Sequence, residues 1–286
     1  MVLNSAFWWR GLTACSSESG NSTDRCSSVT KPLQRRALVL ASSAGIGRAC
    51  AGALANDGLA VQLNGRDRTR LQMAERHILD SYPHAQLASC VADLNVHKDR
   101  QDLVSEAGDI DVLVLNMGGP TARTDDLSVD DWQNAFGTIF LPMVDILDQV
   151  LPGMMQRGWG RVVMISSVAV KQPIPNLLVS GVFRTALASL VSARAAQAAP
   201  HGVTINSILP GRILTDRQRN AIERDARNAG VSEQAQLERV SAAIPMGRLG
   251  VPEEIGHVCA FLCSQGASYL TGQHLLVDGG AYKGLF

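Results

Sequence analysis

The sequence has few charged residues and no excess of either sign. Only 18% of its 286 residues are charged, and 26 Lys and Arg balance 26 Asp and Glu. This low charge, together with 46% apolar residues, excludes a chain that is disordered throughout. Binding to nucleic acid or to an anionic membrane would need a local basic patch, and the only Lys/Arg run is Arg35–Arg36. We therefore predict neither partner.

Cysteine is scarce, and its spacing fits no metal site. None of the six cysteines belongs to a C-x-x-C pair, so we predict no metal. Cys259 and Cys263 lie four residues apart and would share one face of a helix, which is typical of buried apolar cysteines. A chain without a disulfide-rich pattern fits a reducing compartment, and we predict a cytoplasmic protein.

The first 33 residues lack the pattern of a secretion signal. Arg10 interrupts the early apolar run, no basic residue precedes it, and residues 17–30 are rich in Ser, Thr, Asn and Gly. No stretch approaches the roughly 20 apolar residues of a membrane span. We predict that residues 1–33 are a disordered extension or an over-long start, and that residues 34–286 form a single domain.

From Arg36 onward, short apolar runs alternate with helical patterns. Such runs are typical of strands buried on both faces. They occupy residues 37–40, 59–63, 87–91, 111–115, 161–165, 203–207 and 274–277. Between them we predict helices, one capped by Asp67 and a long one capped by Asp130. This alternation predicts an α/β fold with a doubly wound parallel sheet (a Rossmann fold), which binds its ligand beyond the carboxyl ends of the strands.

A glycine turn follows the first strand and opens the first helix. Gly45 would let the backbone approach a phosphate, Gly47 would let the helix pack closely on the strand, and the helix N-terminus would present free N–H groups. The second strand ends without a carboxylate at its tip, where Arg66 is a candidate ligand for an extra phosphate and Arg48 a possible second. We therefore predict a dinucleotide site that favours NADP(H) over NAD(H).

Four motifs, in this order, resemble those of the short-chain dehydrogenases/reductases. Residues 40–47 align with the family's T-G-x-x-x-G-I-G, with Leu and Ala in its first two positions, so we expect a slightly altered turn. Residues 91–94 (V-A-D-L), 116–119 (N-M-G-G) and 210–215 (P-G-R-I-L-T) match further family motifs. The resemblance extends over about residues 35–284. It implies a small-molecule substrate, a mobile lid over residues 212–247, and association through two long helices into a homodimer or homotetramer.

The motifs and the charge argument together assign the cofactor contacts. Within the family, the residue matching Asp93 holds the adenine amine and the residue matching Thr215 contacts the cofactor. The predicted cofactor-binding residues are Ala41, Ser43, Gly45, Ile46, Gly47, Arg66, Asp93, Leu94, Asn116, Gly118, Arg184, Pro210, Gly211, Ile213 and Thr215.

Most of the family's catalytic residues are replaced in this sequence. The family serine corresponds to Ser167, and thirteen residues later Ser180 stands in place of the tyrosine. Four residues beyond, Arg184 stands in place of the lysine, and Ile139 occupies the position of the family's asparagine. The chain has only three tyrosines, and none lies near this helix: Tyr82, Tyr269 and Tyr282.

These replacements define an unusual catalytic site. A phenol titrates near about 10, whereas an aliphatic hydroxyl has no ordinary titration, so Ser180 is a hydrogen-bond donor but a poor proton source. Arg184 stays charged and could hold the nicotinamide ribose. Ser167 and Ser180 together could polarise a carbonyl. Arg212 could bind an anionic substrate or stabilise an oxyanion, or it is a surface residue or forms a salt bridge to Asp216.

Three hypotheses follow for the activity. The first is an oxidoreductase that transfers hydride between NADP(H) and a carbonyl or alcohol, with Ser and Arg in place of Tyr and Lys. The second is a non-redox enzyme that uses the same cleft, such as an isomerase, dehydratase or cyclase in biosynthesis. The third is a regulatory protein that binds the dinucleotide with little or no chemistry.

Overall fold

Seven parallel strands form one sheet in the order β3-β2-β1-β4-β5-β6-β7. The computed structural model describes residues 34–118 and 127–285, so the extension predicted over residues 1–33 lies outside the described residues. The strands are β1 (Arg36–Val39), β2 (Ala60–Gly65), β3 (Gln86–Val91), β4 (Val112–Leu115), β5 (Gly160–Ile165), β6 (Val203–Pro210) and β7 (His274–Val277). The strand order reverses between β1 and β4, where doubly wound sheets bind their ligands. The predicted Rossmann fold is confirmed.

Helices within the described ranges cover both faces of this sheet. They are α1 (Gly45–Asn56), α2 (Arg68–Ser81), α3 (His97–Ala107), α4 (Val129–Ala135), α5 (Leu141–Arg157), α6 (Leu178–Ala198), α7 (Asp216–Ala229), α8 (Glu233–Ala242) and α9 (Pro252–Cys263). Helices α1, α2 and α9 pack on one face around a core that includes Leu54 and Val114. Helices α3 to α6 pack on the other face around Leu113 and Ile146. The parallel strands are therefore buried on both sides, as their apolar runs predicted.

The predicted start of the long helix was wrong by two residues. Ser128, not Asp130, is the N-cap of α4, because its hydroxyl accepts from the backbone N–H of Asp131 while the Asp131 carboxylate accepts from the Ser128 N–H at 2.9 Å. This reciprocal pair is a capping box, which a lone Asp130 would not supply. A π-helical turn, Phe136–Phe140, joins α4 to α5. The predicted cap of α2 is confirmed, since the side chain of Asp67 accepts a hydrogen bond from the backbone N–H of Arg70, the third residue of the helix.

Two helical stretches are long and apolar enough to cross a membrane by length and composition alone. They are Val129–Arg157 and Pro175–His201. Their apolar residues, among them Ile146, Leu147 and Val191, pack onto the sheet as part of the core. Core helices of folded domains meet the same test of length and composition, so this finding gives no support for a membrane span.

Candidate active site

The turn between β1 and α1 keeps a left-handed residue where the family has its first glycine. Ala41 has φ +45°, a conformation that costs an L-residue about 1–2 kcal/mol. Its backbone N–H donates to Oδ1 of Asn64 at 3.2 Å, and its carbonyl accepts from Nδ2 of Asn116 at 3.1 Å. Through these two bonds, side chains at the carboxyl ends of β2 and β4 fix the strained residue in place.

Three of the sequence motifs meet at this turn. A Cβ on Gly47 would lie 2.5 Å from the carbonyl oxygen of Ala41 and 2.6 Å from Nδ2 of Asn116. A Cβ on Gly45, which has φ +55°, would lie 3.2 Å from the methyl group of Thr215. Both glycines are therefore required for the close approach of α1, β4 and the segment after β6.

The N-terminus of α1 suits the phosphates of a dinucleotide. Its N-cap, Ala44, has an extended backbone and makes no side-chain cap hydrogen bond. Helix α2, by contrast, is capped by Asp67, and helix α7 by Thr215. An uncapped N-terminus that opens on glycines leaves amide donors and the positive end of the helix dipole for an anion. This donor set fits a pyrophosphate.

Arg66 lies at the tip of β2, beside the loop that follows β3. Its side chain is 73% exposed, and its Nη1 is 3.9 Å from Oδ2 of Asp93. At this distance and exposure the ion pair contributes little, so the guanidinium is free to bind a phosphate. The structure thus brings two predicted adenosine contacts, Arg66 and Asp93, to the same corner of the cleft. Arg48 is partly buried in the first turns of α1.

Two polar residues that the sequence did not single out organise this corner. Ser42 is fully buried, donates from Oγ to the carbonyl of Val39 at 2.9 Å, and accepts from the N–H of Asn64 at 3.0 Å. Asn64 also donates from Nδ2 to the carbonyl of Ala92 at 3.2 Å. Asn64 thereby links the glycine turn to the ends of β2 and β3. The only signal in the sequence was a polar residue at the end of each apolar run.

The replaced catalytic residues form one hydrogen-bonded unit on α6. Nε of Arg184 donates to Oγ of Ser180 at 3.1 Å, and Nη1 donates to the carbonyl of Ser166 at 3.1 Å. Nη2 of Arg184 has no hydrogen-bond partner among the described residues. Desolvation by burial, with a smaller effect from nearby Arg217, lowers the pKa of Arg184 to about 10, so the guanidinium keeps its charge at neutral pH.

Ser167 and Ile139 occupy the other two positions of the family's catalytic pattern. Oγ of Ser167 accepts from the backbone N–H of Ala169 at 3.1 Å, which begins a short 3₁₀ turn after β5. Ile139 is 3% exposed and lies in the π-helical turn between α4 and α5. Its side chain belongs to the apolar core and cannot order a water. The retained serine therefore directly follows a carbonyl that Arg184 contacts, while the asparagine position has become core.

The segment after β6 is fixed by contacts with residues that follow β7 and precede α9. A Cβ on Gly211 would lie 2.7 Å from that of Asp278, and Ile213 forms an isolated bridge with Gly250. Thr215 then caps α7 through its hydroxyl. Pro210 ends β6 immediately before this segment.

Arg212 is exposed and has no salt bridge to Asp216 or to any other carboxylate within the described residues. Of the alternatives for Arg212, the salt bridge to Asp216 is therefore not formed, and the side chain lies at the surface. Over the same ranges, no group of three or more His, Cys, Asp or Glu side chains could hold a metal ion.

Comparisons with known proteins give a consistent result. A family model described as enoyl-(acyl carrier protein) reductase matches residues 40–282. The NADPH-dependent reductase BacG of Bacillus subtilis is 31% identical over 257 residues, which are 88% of this chain and 99% of the relative. The solved structure of YwfH, an NADPH-dependent reductase involved in bacilysin biosynthesis, matches with a TM-score of 0.82 at 30% identity, covering 88% of this chain and 100% of YwfH. L-sorbose reductase of Gluconobacter frateurii, solved with NADPH and L-sorbose, matches with a TM-score of 0.83 at 27% identity, covering 88% of this chain and 98% of the reductase.

Proposed function

This chain belongs to the short-chain dehydrogenase/reductase family, and we propose that it reduces a carbonyl group through Ser180 and Arg184 in place of the family's tyrosine and lysine. It is a hydride-transfer oxidoreductase, and its cofactor is NADP(H). The observation that carries the proposal is the hydrogen bond from Arg184 to Ser180, which places a charge and a hydroxyl side by side at the end of β5.

The residues of the cleft fit the cofactor from end to end. When bound, NADPH supplies the hydride. The uncapped N-terminus of α1 would hold its pyrophosphate, and Gly45, which adds no side chain beside the methyl group of Thr215, leaves its backbone open to a ligand. Arg66 would hold the 2′-phosphate, and Asp93 the adenine amine. The space beside Gly118 is open, since a Cβ added there would meet no described atom within 4 Å, and it fits a ligand at the end of β4.

Arg184 supplies a fixed positive charge at the reacting end of the cleft. Nε and Nη1 are committed to Ser180 and to the carbonyl of Ser166, which orient the guanidinium. Nη2 is left to donate to the nicotinamide ribose or to the substrate oxygen. Because the pKa of about 10 keeps the group protonated at neutral pH, the charge stabilises an alkoxide that develops on that oxygen.

The two serines act as hydrogen-bond donors, not as proton stores. Oγ of Ser180 accepts from Arg184 and Oγ of Ser167 accepts from the N–H of Ala169. Each hydroxyl therefore keeps its own proton for a hydrogen bond to the substrate oxygen. Neither hydroxyl titrates in the ordinary range, so the proton that completes the alcohol comes from solvent. We expect slower turnover than a tyrosine would give, since general acid catalysis contributes roughly 10²–10⁴-fold.

An anionic substrate fits the charges around this cleft. Arg212 is exposed and has no carboxylate partner among the described residues, and Arg217 lies close enough to Arg184 to lower its pKa. The exposed guanidinium of Arg212, on the segment after β6, would attract a carboxylate or phosphate. We propose Arg212 as the substrate contact.

The protein is proposed to be a homodimer or homotetramer in the cytoplasm. Helices α4 to α6 and the π-helical turn between α4 and α5 expose large apolar side chains that self-association would cover: Val129, Phe136, Leu141, Leu178 and Val182. The described cysteines are all free and buried, which fits a reducing compartment. Light scattering at several protein concentrations tests the oligomer, and a monomer at every concentration would contradict it.

The first experiment separates binding from chemistry. Fluorescence titration with NADPH and NADH measures cofactor affinity, and NADPH consumption is then followed with neutral and anionic carbonyl compounds. We expect Ser180→Ala to lower kcat by about 10²-fold, the effect of one lost oxyanion donor, with NADPH affinity unchanged. Ser189→Ala, an exposed hydroxyl on the same helix, is the matched control. Equal kcat values in the two variants would refute the role of Ser180.

The second experiment restores the family's residues. A variant that combines Ser180→Tyr, Arg184→Lys and Ile139→Asn is expected to raise kcat by roughly 10²–10⁴-fold. If the native protein and the triple variant both bind NADPH but turn over no carbonyl compound, the regulatory alternative is favoured. Turnover of a substrate with no change in NADPH absorbance would favour the non-redox alternative.

A further inference from the structure

A buried arginine connects α5 to the loop that follows β3. The side chain of Arg100, on α3, is 5% exposed. Its Nε donates to the carboxylate of Asp145 on α5, and its Nη1 donates to the backbone carbonyl of Leu94 at 2.8 Å. One planar guanidinium thus bonds an acidic side chain and a loop carbonyl at the same time, which is a geometry that a lysine cannot reproduce.

Asp145 is held ionised in this position. Burial alone would raise the pKa of its carboxyl group, but hydrogen bonds from Arg100, His97 and Gln149 outweigh burial and lower that pKa. Nδ1 of His97 is 3.1 Å from Oδ2 of Asp145, and Nε2 of Gln149 donates to Oδ1 at 3.0 Å. The carboxylate is therefore a fixed anchor for Arg100, and removing its charge would leave a buried guanidinium unpaired.

The loop that Arg100 contacts carries two of the proposed adenosine contacts. Asp93 and Leu94 follow Ala92, the first residue after β3. The N–H of Asp93 donates to Oδ2 of Asp99 at 2.8 Å, and Oδ1 of Asp93 accepts from the N–H of Asn95 at 3.0 Å. The first of these bonds fixes the loop to the start of α3. The bond from Arg100 to Leu94 links it, through the guanidinium, to α5.

We propose that Arg100, anchored by Asp145, is a positioning residue that sets the affinity of the site for the adenosine end of the cofactor without touching it. The proposal rests on the proposed function, because it takes Asp93 and Leu94 as adenosine contacts. It predicts that breaking the anchor weakens binding of the adenosine half and leaves the nicotinamide half unaffected. If the ion pair were purely structural, breaking it would lower the stability of the protein. Binding of the two cofactor halves would then be either unchanged for both or weakened for both.

The chain offers a matched control on the same helix. Asp148, one turn after Asp145, accepts from Nη2 of Arg194 at 2.6 Å. That pair joins α5 to α6 and not to the adenosine loop. The side chain of Arg194 is 33% exposed and that of Asp148 is 44% exposed. Asp148→Asn therefore removes an Arg–Asp ion pair, more exposed than that of Arg100, from the same helix without affecting the loop.

The experiment measures binding of two fragments by titration calorimetry. Adenosine 2′,5′-bisphosphate represents the adenosine half and reduced nicotinamide mononucleotide the other half. For Asp145→Asn and for Arg100→Lys we expect the affinity for the bisphosphate to fall about tenfold, the worth of one hydrogen bond from a charged donor. Affinity for the mononucleotide should stay within about twofold, and Asp148→Asn should change neither. Thermal unfolding of each variant shows whether it is folded at the temperature of the titration.

The outcomes distinguish a failure of the positioning role of Arg100 from a failure of the proposed cofactor site. Unchanged bisphosphate affinity in folded Arg100→Lys, with a clear loss in Asp93→Ala, would overturn the positioning role and leave the cofactor assignment standing. No loss in Asp93→Ala would instead show that the adenosine assignment is wrong. Equal losses for both fragments would reduce the Arg100 bridge to a structural ion pair. Because Arg100→Lys keeps the charge opposite Asp145, it gives an answer even if Asp145→Asn unfolds.

Discussion

The side-chain amide of Asn116 donates to the carbonyl of Ala41 at 3.1 Å, although the two residues are 75 positions apart in the chain. The same amide donates to the carbonyl of Leu40 at 3.2 Å. The end of β4 therefore holds the turn that precedes α1, and Ala41 keeps a left-handed backbone within that turn. Cofactor binding and the local strain of this turn are consequently linked, and both can be tested by substitution.

Replacing Ala41 with glycine should stabilise the protein. Glycine adopts positive φ without the Cβ penalty, so we expect Ala41→Gly to raise the free energy of unfolding by about 1 kcal/mol, measured by urea denaturation. Ala44→Gly is the control, since Ala44 has φ −162° and gains nothing from glycine. A lower unfolding free energy for Ala41→Gly would mean that the left-handed backbone carries no strain.

Two glycines of the cleft should respond differently to alanine. Gly47→Ala places a Cβ within 2.6 Å of Ala41 and Asn116 atoms, so we expect a loss of about 1–3 kcal/mol in stability and loss of NADPH binding. Gly118→Ala meets no described atom within 4 Å, so we expect unchanged stability but weaker NADPH binding. Unfolding curves and fluorescence titration check both variants. A destabilised Gly118→Ala, or a stable Gly47→Ala that binds NADPH normally, would contradict the packing argument.

Arg66 should determine the preference for NADPH over NADH. Loss of a charge-assisted hydrogen bond costs about 1.5–3 kcal/mol, so Arg66→Ala should weaken NADPH binding by roughly 10–100-fold and leave NADH binding nearly unchanged. Arg68→Ala, two residues later and also exposed, is the control. The ratio of the two dissociation constants is the measurement. An equal ratio in the two variants would place the 2′-phosphate elsewhere.

Arg184 should contribute to folding as well as to catalysis. Arg184→Met removes the donor to Ser180 and to the carbonyls of Ile165 and Ser166, at 3.1, 3.4 and 3.1 Å. We expect a loss of about 1–3 kcal/mol in unfolding free energy together with a fall in kcat. Arg184→Lys keeps the positive charge, so we expect it to retain most of the kcat of the native protein. Its unfolding free energy should still fall, since one ammonium cannot reach all three acceptors. Equal kcat for the Met and Lys variants would show that the charge plays no part in turnover.

The sequence predicted the sheet and the glycine turn because both leave regular patterns. Apolar runs mark strands buried on two faces, and a glycine pair between a strand and a helix is typical of a nucleotide-binding turn. The alternation predicts a helix between the third and fourth strands but not its bounds, because only Arg100, Leu103 and Ala107 are buried in helix α3 (His97–Ala107) and few of its residues are apolar. The cap of α4 was misplaced because Ser128 and Asp130 are both good capping residues, and the side-chain pairing with Asp131 decides between them.

The polar contacts of the site could not be derived from one sequence. Counting identified Ser180 and Arg184, but the carbonyl groups that Arg184 contacts lie 18 and 19 residues away, at the end of β5. Arg100 and Asp145 are 45 residues apart and lie on different helices. Single polar residues within helices have no periodicity, so their partners appear only once the sheet fixes which helices are neighbours.

The segment that carries Arg212 should loosen at low pH. Glu254 accepts two hydrogen bonds from Arg248, at 2.9 and 2.7 Å, and one from the N–H of Val251, at 2.8 Å. These bonds lower the pKa of Glu254 from 4.5 to about 2. A carboxyl group whose pKa is lower in the folded state contributes stability above its unfolded pKa and loses it as pH falls through the folded value. Next to it, Gly250 donates to the carbonyl of Arg212 at 3.0 Å, so the ion pair supports the base of the substrate segment.

Glu254→Gln isolates this contribution. The difference in unfolding free energy between the native protein and the variant should be largest above pH 4.5 and should shrink as pH falls toward about 2. Urea denaturation at several pH values measures it. Glu253→Gln is the control, because the side chain of Glu253 is exposed and makes no hydrogen bond or ion pair within the described ranges. If the difference for Glu254→Gln does not change with pH, the carboxylate is not held by Arg248 in solution, and the segment that carries Arg212 must be anchored through the Gly250 and Ile213 backbone contacts alone.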